Sequence, residues 1–190
     1  MPGTLVVITG PSGVGKSTIA RAVLQRTGAT FSVSATTRAP REGEVDGRDY
    51  RFVDRRTFQR MIDNGELLEW ADVFGELYGT PSEPVRRAVT EGQTVLLDID
   101  VQGGLQVAEK MPAATFVLIA PPNDAELARR LLARATEDDD AARRRLAKAR
   151  EEIKAARGSG VYNHIVINDD LDRAIDAVAR IVEQNERMNA

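Results

Sequence analysis

The chain has 190 residues and a formal net charge of −3, from 26 basic and 29 acidic side chains, so it presents no broad positive field to hold duplex nucleic acid. Hydrophobic residues make up 42% and charged residues 29%, which excludes a wholly disordered chain and suits one domain whose core buries roughly 70% of the unfolded surface. With no cysteine and a single histidine, His164, the chain has no disulfide, thiolate metal site or cysteine nucleophile, and a poor basis for a histidine-rich zinc centre or a Ser-His-Asp relay.

The apolar run Leu5-Val6-Val7-Ile8 lacks a basic leader and is too short for a signal or a membrane span. Together with the absence of cysteine, this leads us to expect a soluble cytoplasmic protein. Thr4–Thr9 reads as a buried strand entering a glycine turn, followed by a helix over about 15–27. Residues 34–81 break the rhythm with short alternating segments, Tyr50–Val53 and Leu67–Phe74, and a helix near Asp54–Asn64. Further buried strands fall at Thr94–Asp98, Thr115–Ala120 and His164–Asn168, each followed by a helical pattern: Val101–Lys110, Asn123–Arg134 and Leu171–Glu186. Residues 134–157 read as a helix with an acidic start and a basic middle, and its few apolar residues predict weak anchoring. Alternating strands and helices with short crossovers imply an α/β fold around a central parallel sheet.

Gly10-Pro11-Ser12-Gly13-Val14-Gly15-Lys16-Ser17 matches G-x-x-x-x-G-K-[ST] in full, with a strand before it and a helix after it. Such a loop turns successive N–H groups inward as an anion nest at a helix N-terminus. Lys16 is placed to reach the β- and γ-phosphates of a nucleotide, and the Ser17 hydroxyl to face Mg²⁺. Asp98, ending the strand Val95-Leu96-Leu97, is a candidate for the metal side or a helix cap. Switches, ATPases and small-molecule kinases share this loop. The absence of an N-K-x-D base-reading motif weakens the switch reading.

A small-molecule kinase needs an acceptor pocket, cations for the acceptor's phosphate, and a lid against water. Of the 26 basic residues only four are lysines, Lys16, Lys110, Lys148 and Lys154. Genomic base composition explains most of that excess of arginine, so position must decide which arginines bind phosphate. Ser34-Ala35-Thr36-Thr37-Arg38-Ala39-Pro40-Arg41 offers hydroxyls and two arginines, and Tyr50 and Tyr78 could complete an anion clamp. Glu69 could accept two N–H bonds from a base edge such as guanine. Each of these residues, taken alone, could equally be solvated surface.

The residues then carry a resemblance covering nearly the whole chain in order. Gly10 through Ser17 with Thr18, the run 34–44, Gly47–Val53, Glu69–Gly75, Tyr78-Gly79-Thr80, Asp98-Ile99-Asp100-Val101-Gln102-Gly103, Arg143–Leu146 and Asn168-Asp169-Asp170-Leu171 resemble the guanylate kinases, which phosphorylate GMP from ATP. The resemblance implies a P-loop NTPase fold of three layers, with core segments 1–33, 82–123 and 158–190, a small β-rich GMP-binding insert over 34–81 and a helical lid over 124–157. It implies that Arg38, Arg41, Tyr50 and Tyr78 hold the GMP phosphate. Ser34, Glu69, Thr80 and Asp100 would read guanine, with Gly79 and Asp98 lining that site. Lys16, Arg41, Arg134 and Arg145 would meet the transferring phosphoryl group, and Asn168 and Asp169 would border the adenine of ATP. Mg²⁺ is the implied cofactor. ATP, GMP and dGMP are the implied substrates of a monomer or weak homodimer, with no nucleic acid or membrane partner.

Two departures stand out. The lid's usual Arg-Gly-Thr is Arg134-Ala135-Thr136, losing a glycine where a positive φ could be needed. The usual aromatic-Asp-aromatic is Tyr162-Asn163-His164, and His164 reads as structural. A kinase of a sugar phosphate such as ribose 1,5-bisphosphate would keep the loop and lid but would have no use for Glu69 with Tyr78-Gly79-Thr80. A scaffold module would typically have a degraded phosphate loop.

Overall fold

The structure, a computed structural model, describes residues 2–73, 75–133 and 139–188. In chain order its elements are β1 (Leu5–Thr9), α1 (Lys16–Arg26), β2 (Thr30–Phe31), β3 (Ala35–Thr36), β4 (Arg51–Phe52), α2 (Arg55–Asp63), β5 (Leu67–Val73), β6 (Glu76–Pro81), α3 (Ser82–Thr90), β7 (Val95–Asp98), α4 (Val101–Lys110), β8 (Thr115–Ala120), α5 (Asp124–Ala133), α6 (Asp139–Gly158), β9 (His164–Ile167) and α7 (Leu171–Met188).

The main sheet runs β2-β7-β1-β8-β9, with every neighbouring pair parallel. All five residues of β1 are buried, because a parallel strand at the centre is covered on both faces. Its side chains alternate. Val6 and Ile8 join Ile19, Ala20 and Val23 of α1 and Ala174, Val178 and Val182 of α7. Leu5 and Val7 join Val85 of α3 and Val107 of α4 on the other face. That alternation makes the three layers the sequence implied.

A second sheet, ordered β4-β3-β6-β5, is built from strands that span the segment read as an insert, from Ala35 to Pro81. It packs Ala35, Leu67 and Leu77 on Phe58 and Met61 of α2. Asp54 starts α2 by accepting the Thr57 N–H at 2.7 Å, Asn123 accepts from Glu126 at 2.8 Å before α5, and Asp170 accepts from Arg173 at 2.9 Å in α7. These side-chain caps satisfy donors that a helix start leaves unpaired.

The structure differs from the sequence reading in three places. Residues 82–90 carried no expected element, yet α3 forms there, with Val85, Ala88 and Val89 facing the core; its Pro84 lies in the first turn, where a proline costs no helical bond. β2 and β3 are two residues each, too short to leave a periodic signal. Of the 134–157 region, the described part from 139 on is better anchored than expected. Leu146, Ala149 and Ile153 pack on Leu127 and Leu131 of α5, and Ala156 packs between Val101 and Leu118. Alanines let that helix approach closely. Among the described residues no helix is long and apolar enough to cross a membrane.

Candidate active site

β1 delivers the chain into the glycine loop at the carboxyl end of the sheet, where open α/β folds place their ligands. Gly15 sits at φ +92° and turns the chain into α1. A Cβ there would lie 2.6 Å from Asn168 Nδ2, so glycine is required for conformation and space alike. No side chain caps α1, which leaves its start to an anion. The loop lines a cavity of about 350 Å³ together with Lys16, Ser17, Thr18, Val73, Asp100, Lys148 and Glu152.

Lys16 Nζ is ion-paired with the Asp98 carboxylate. The pairing follows from the sheet, because Ile8 and Asp98 are in register on adjacent parallel strands. Ser17 is exposed and lines the cavity, and Asp98 is half-buried at the end of β7. Glu152 is also half-buried, and burial pushes its carboxyl above the usual range.

Asn168 is 4% exposed and holds the loop from behind, its Nδ2 donating to the Val14 carbonyl at 2.7 Å. It also lines a second cavity of about 360 Å³ with Gly13, Gly15, Thr18, Arg129, Arg130 and Leu171. Asn168→Ala would leave that buried carbonyl without its donor and is expected to lower stability by about 1–3 kcal/mol. Thermal unfolding of the purified variant checks this. Asp169 turns instead to the start of α7, accepting from Arg173 Nη2 at 2.9 Å.

The second sheet gathers the expected phosphate clamp. Arg38 Nε donates to Tyr78 Oη at 3.2 Å, and its guanidinium stands 5.5 Å from the Tyr50 ring centre. Tyr50 and Tyr78 meet edge-on at 6.0 Å. Two participants escaped the sequence reading. Phe52 lies 5.8 Å from the Arg38 guanidinium. Glu44 accepts from Arg38 Nη2 at 2.9 Å and from the Arg41 N–H at 2.7 Å, and these bonds hold its carboxyl below the usual range. Glu44 therefore places a carboxylate between the two arginines expected to take a phosphate. The Arg41 side chain is exposed.

Glu69 is 6% exposed, so the plain surface reading of this carboxylate fails. Its Oε1 accepts the Thr80 hydroxyl at 2.6 Å, across the β5–β6 pair that sets Glu69 opposite Thr80. Burial raises its carboxyl to about 7; the Thr80 hydrogen bond works against that shift and the Asp100 charge adds to it. Asp100 caps α4, accepting the Gly103 N–H at 2.7 Å, and also borders the loop cavity. Asp100 thus links the buried Glu69 carboxylate with the phosphate loop. Ser34 is half-buried at the entry to β3, its carbonyl accepting the Arg51 N–H at 2.9 Å, and Gly79 pairs with Trp70.

Comparison with known proteins fits this arrangement. The family model described as Guanylate kinase matches residues 2–185. The chain belongs to the guanylate kinase family. It is 49% identical to a guanylate kinase of Nocardia farcinica, over 97% of this chain and 96% of that one. It is 50% identical to a guanylate kinase of Synechococcus elongatus, covering 93% and 95% respectively. The crystal structure of guanylate kinase from Anaplasma phagocytophilum superposes with a TM-score of 0.76 at 35% identity, over 97% of this chain and 87% of that one.

Of the lid arginines expected for a guanylate kinase, Arg145 is half-buried on α6, while Arg134, with Ala135 and Thr136, lies outside the described residues. His164 begins β9, paired with Val117, in keeping with a structural role.

Proposed function

We propose that the protein transfers the γ-phosphoryl group of ATP to GMP, giving ADP and GDP, with dGMP as a second acceptor. The observation that carries this reading is a buried carboxylate, Glu69, held by Thr80 and facing Asp100 next to a complete phosphate loop. A guanine edge offers two adjacent N–H donors, which a carboxylate accepts as a pair. A sugar bisphosphate offers none and would leave Glu69 without a purpose.

In this reading 34–81 is the acceptor subdomain and 124–157 the lid. The loop N–H groups and Lys16 hold the β- and γ-phosphates of ATP, and Lys16 exchanges Asp98 for phosphate oxygen. Arg38, Tyr50 and Tyr78 hold the GMP phosphate, displacing Glu44 from Arg38. Arg41, Arg134 and Arg145 gather on the transferring group and offset its charge. Gly10 through Thr18 and Asn168 frame the donor, with Asp169 at the rim. Ser34, Gly79, Thr80, Asp98 and Asp100 complete the acceptor side. The acceptor is already an ionised phosphate, so the protein supplies alignment and charge and no general base.

The Ser17 hydroxyl and the Asp98 carboxylate are hard oxygen donors, the type that suits Mg²⁺ carried in on nucleotide phosphates. Held there by Ser17 and Asp98, the ion would supply positive charge against the nucleotide phosphates.

Ion-exchange chromatography of a reaction with ATP, GMP and Mg²⁺ tests the proposal. GDP and ADP are expected to form one for one, and the reaction to stop when the metal is chelated. ADP formed without GDP would overturn it.

A further inference from the structure

β5 is an edge strand of the second sheet, and its outward backbone groups meet the side chains of α4. Trp70 N–H donates to Gln106 Oε1 at 3.1 Å, and Gln106 Nε2 donates back to the Trp70 carbonyl at 3.0 Å. One amide side chain thus satisfies the strand edge as a neighbouring strand would. Lys110 Nζ donates to the Leu67 carbonyl at 2.8 Å. Gly103, Gln106 and Lys110 are spaced by three and four residues and so share one face of α4.

These contacts bracket Glu69, and the strand pairing alone does not fix that position. The β5–β6 register shifts between Leu67 and Glu69, with Leu68 turned into the core beside Leu5 and Val7. A bulge re-aims the side chains next to it, and something must then hold the new direction. At Gly103 a Cβ would lie 2.9 Å from Glu69 Oε2, so the carboxylate rests directly against the helix.

We propose that Gln106 is a positioning residue for base selection: by gripping both backbone groups of Trp70, it keeps the neighbouring Glu69 carboxylate aligned with Asp100 on the same helix. This rests on the reading of Glu69 as the guanine acceptor. It adds a specificity determinant that never touches the substrate. The base is then read by one group on the second sheet and one at the start of α4, and Gln106 sets their mutual register.

The test is a double-mutant cycle on the full chain, measuring initial rates with GMP and with IMP, which lacks the exocyclic amine. Gln106→Leu is expected to raise the GMP KM about tenfold, reduce the preference for GMP over IMP about tenfold, and leave the ATP KM within about twofold, the scale of two lost hydrogen bonds at one end of the site. In a Glu69→Gln background the same change should add less than about twofold, because its effect runs through Glu69. Gln106→Glu keeps an acceptor for the Trp70 N–H and sets a carboxylate oxygen in place of the donor to the Trp70 carbonyl. It should raise the GMP KM about threefold, and it serves if the leucine variant does not fold. An unchanged GMP KM in a folded Gln106 variant would overturn the inference, as would a full effect without Glu69. A wild-type GMP KM in Glu69→Gln alone would overturn the guanine-reading assignment and this inference with it.

Discussion

Replacing Lys16 with methionine is expected to lower kcat for GDP formation by about a thousandfold or more, the scale seen when a charge aimed at the transferring phosphoryl group is removed. Lys16 opens α1 at the end of the glycine loop, its ammonium paired with Asp98 and its side chain only 17% exposed. The loop N–H groups survive the substitution, so ATP should still bind, and the loss should fall on kcat more than on the ATP KM. The variant also leaves the Asp98 carboxylate, 12% exposed, without its cation, which predicts a modest fall in Tm. Adding Asp98→Asn should recover the Tm without recovering the rate. Steady-state kinetics and thermal unfolding of the single and double variants separate the two effects. A Lys16→Met enzyme turning over at the wild-type rate would remove the lysine from the mechanism.

Glu69→Gln is expected to cut kcat/KM for GMP by about 10²–10³-fold, because it replaces a carboxylate that accepts two N–H groups with an amide that presents a donor to one of them. The pH dependence carries a second signature. In the folded protein the Glu69 carboxyl stands near 7, against an ordinary value of 4.5, chiefly through burial. Guanine needs the ionised form, so GMP binding below pH 7 must release a proton. The wild-type GMP KM should therefore fall as pH rises toward 7 and level off above about pH 8. The GMP phosphate also titrates near pH 6, and the Glu69→Gln variant, which keeps that contribution alone, isolates the part due to Glu69.

Stability of the free protein has the opposite dependence. A carboxyl whose folded pKa is raised stabilises the fold fully below the unfolded value, and this contribution is lost as pH rises from about 4.5 through 7. The difference amounts to about 3 kcal/mol. Glu69→Gln should remove that decline. Denaturant titrations of both proteins at pH 5 and pH 8 check the sign.

The features legible in the sequence were those whose physics is local. The phosphate loop announces itself because glycines, lysine and serine must occur at fixed spacing between a strand and a helix. The buried strands were legible because unbroken β-branched runs pack well in a sheet covered on both faces and poorly in a helix. The grouping of Arg38, Tyr50 and Tyr78 was legible only as a set: they are scattered over forty residues and meet only because β3 and β4 pair and β3 and β6 pair. Burial of Glu69 could not be read from its residue type, since carboxylates are rarely buried without a cation. Gln106, Lys110 and the bracing role of Asn168 were out of reach for a different reason. Their partners are backbone groups 36, 43 and 154 residues away, and a backbone carbonyl leaves no residue-type signature. Glu44 is local to Arg38, but an acidic residue in an arginine-rich turn reads as charge balance until the distances are known. No element was expected where α3 forms, and packing of Val85 and Ala88 on the core beside β7 makes that helix visible.

That a phosphate loop for ATP faces a pocket built to read guanine is tested most directly by an ADP-release assay. It uses Mg-ATP with a panel of acceptors: GMP, dGMP, AMP, CMP, UMP and ribose 1,5-bisphosphate. Rapid turnover with GMP, slower turnover with dGMP and almost none with the other four is the expected result. Turnover with the sugar bisphosphate and none with GMP would contradict the assignment of Glu69, Thr80 and Asp100, while leaving the nucleotide loop in place.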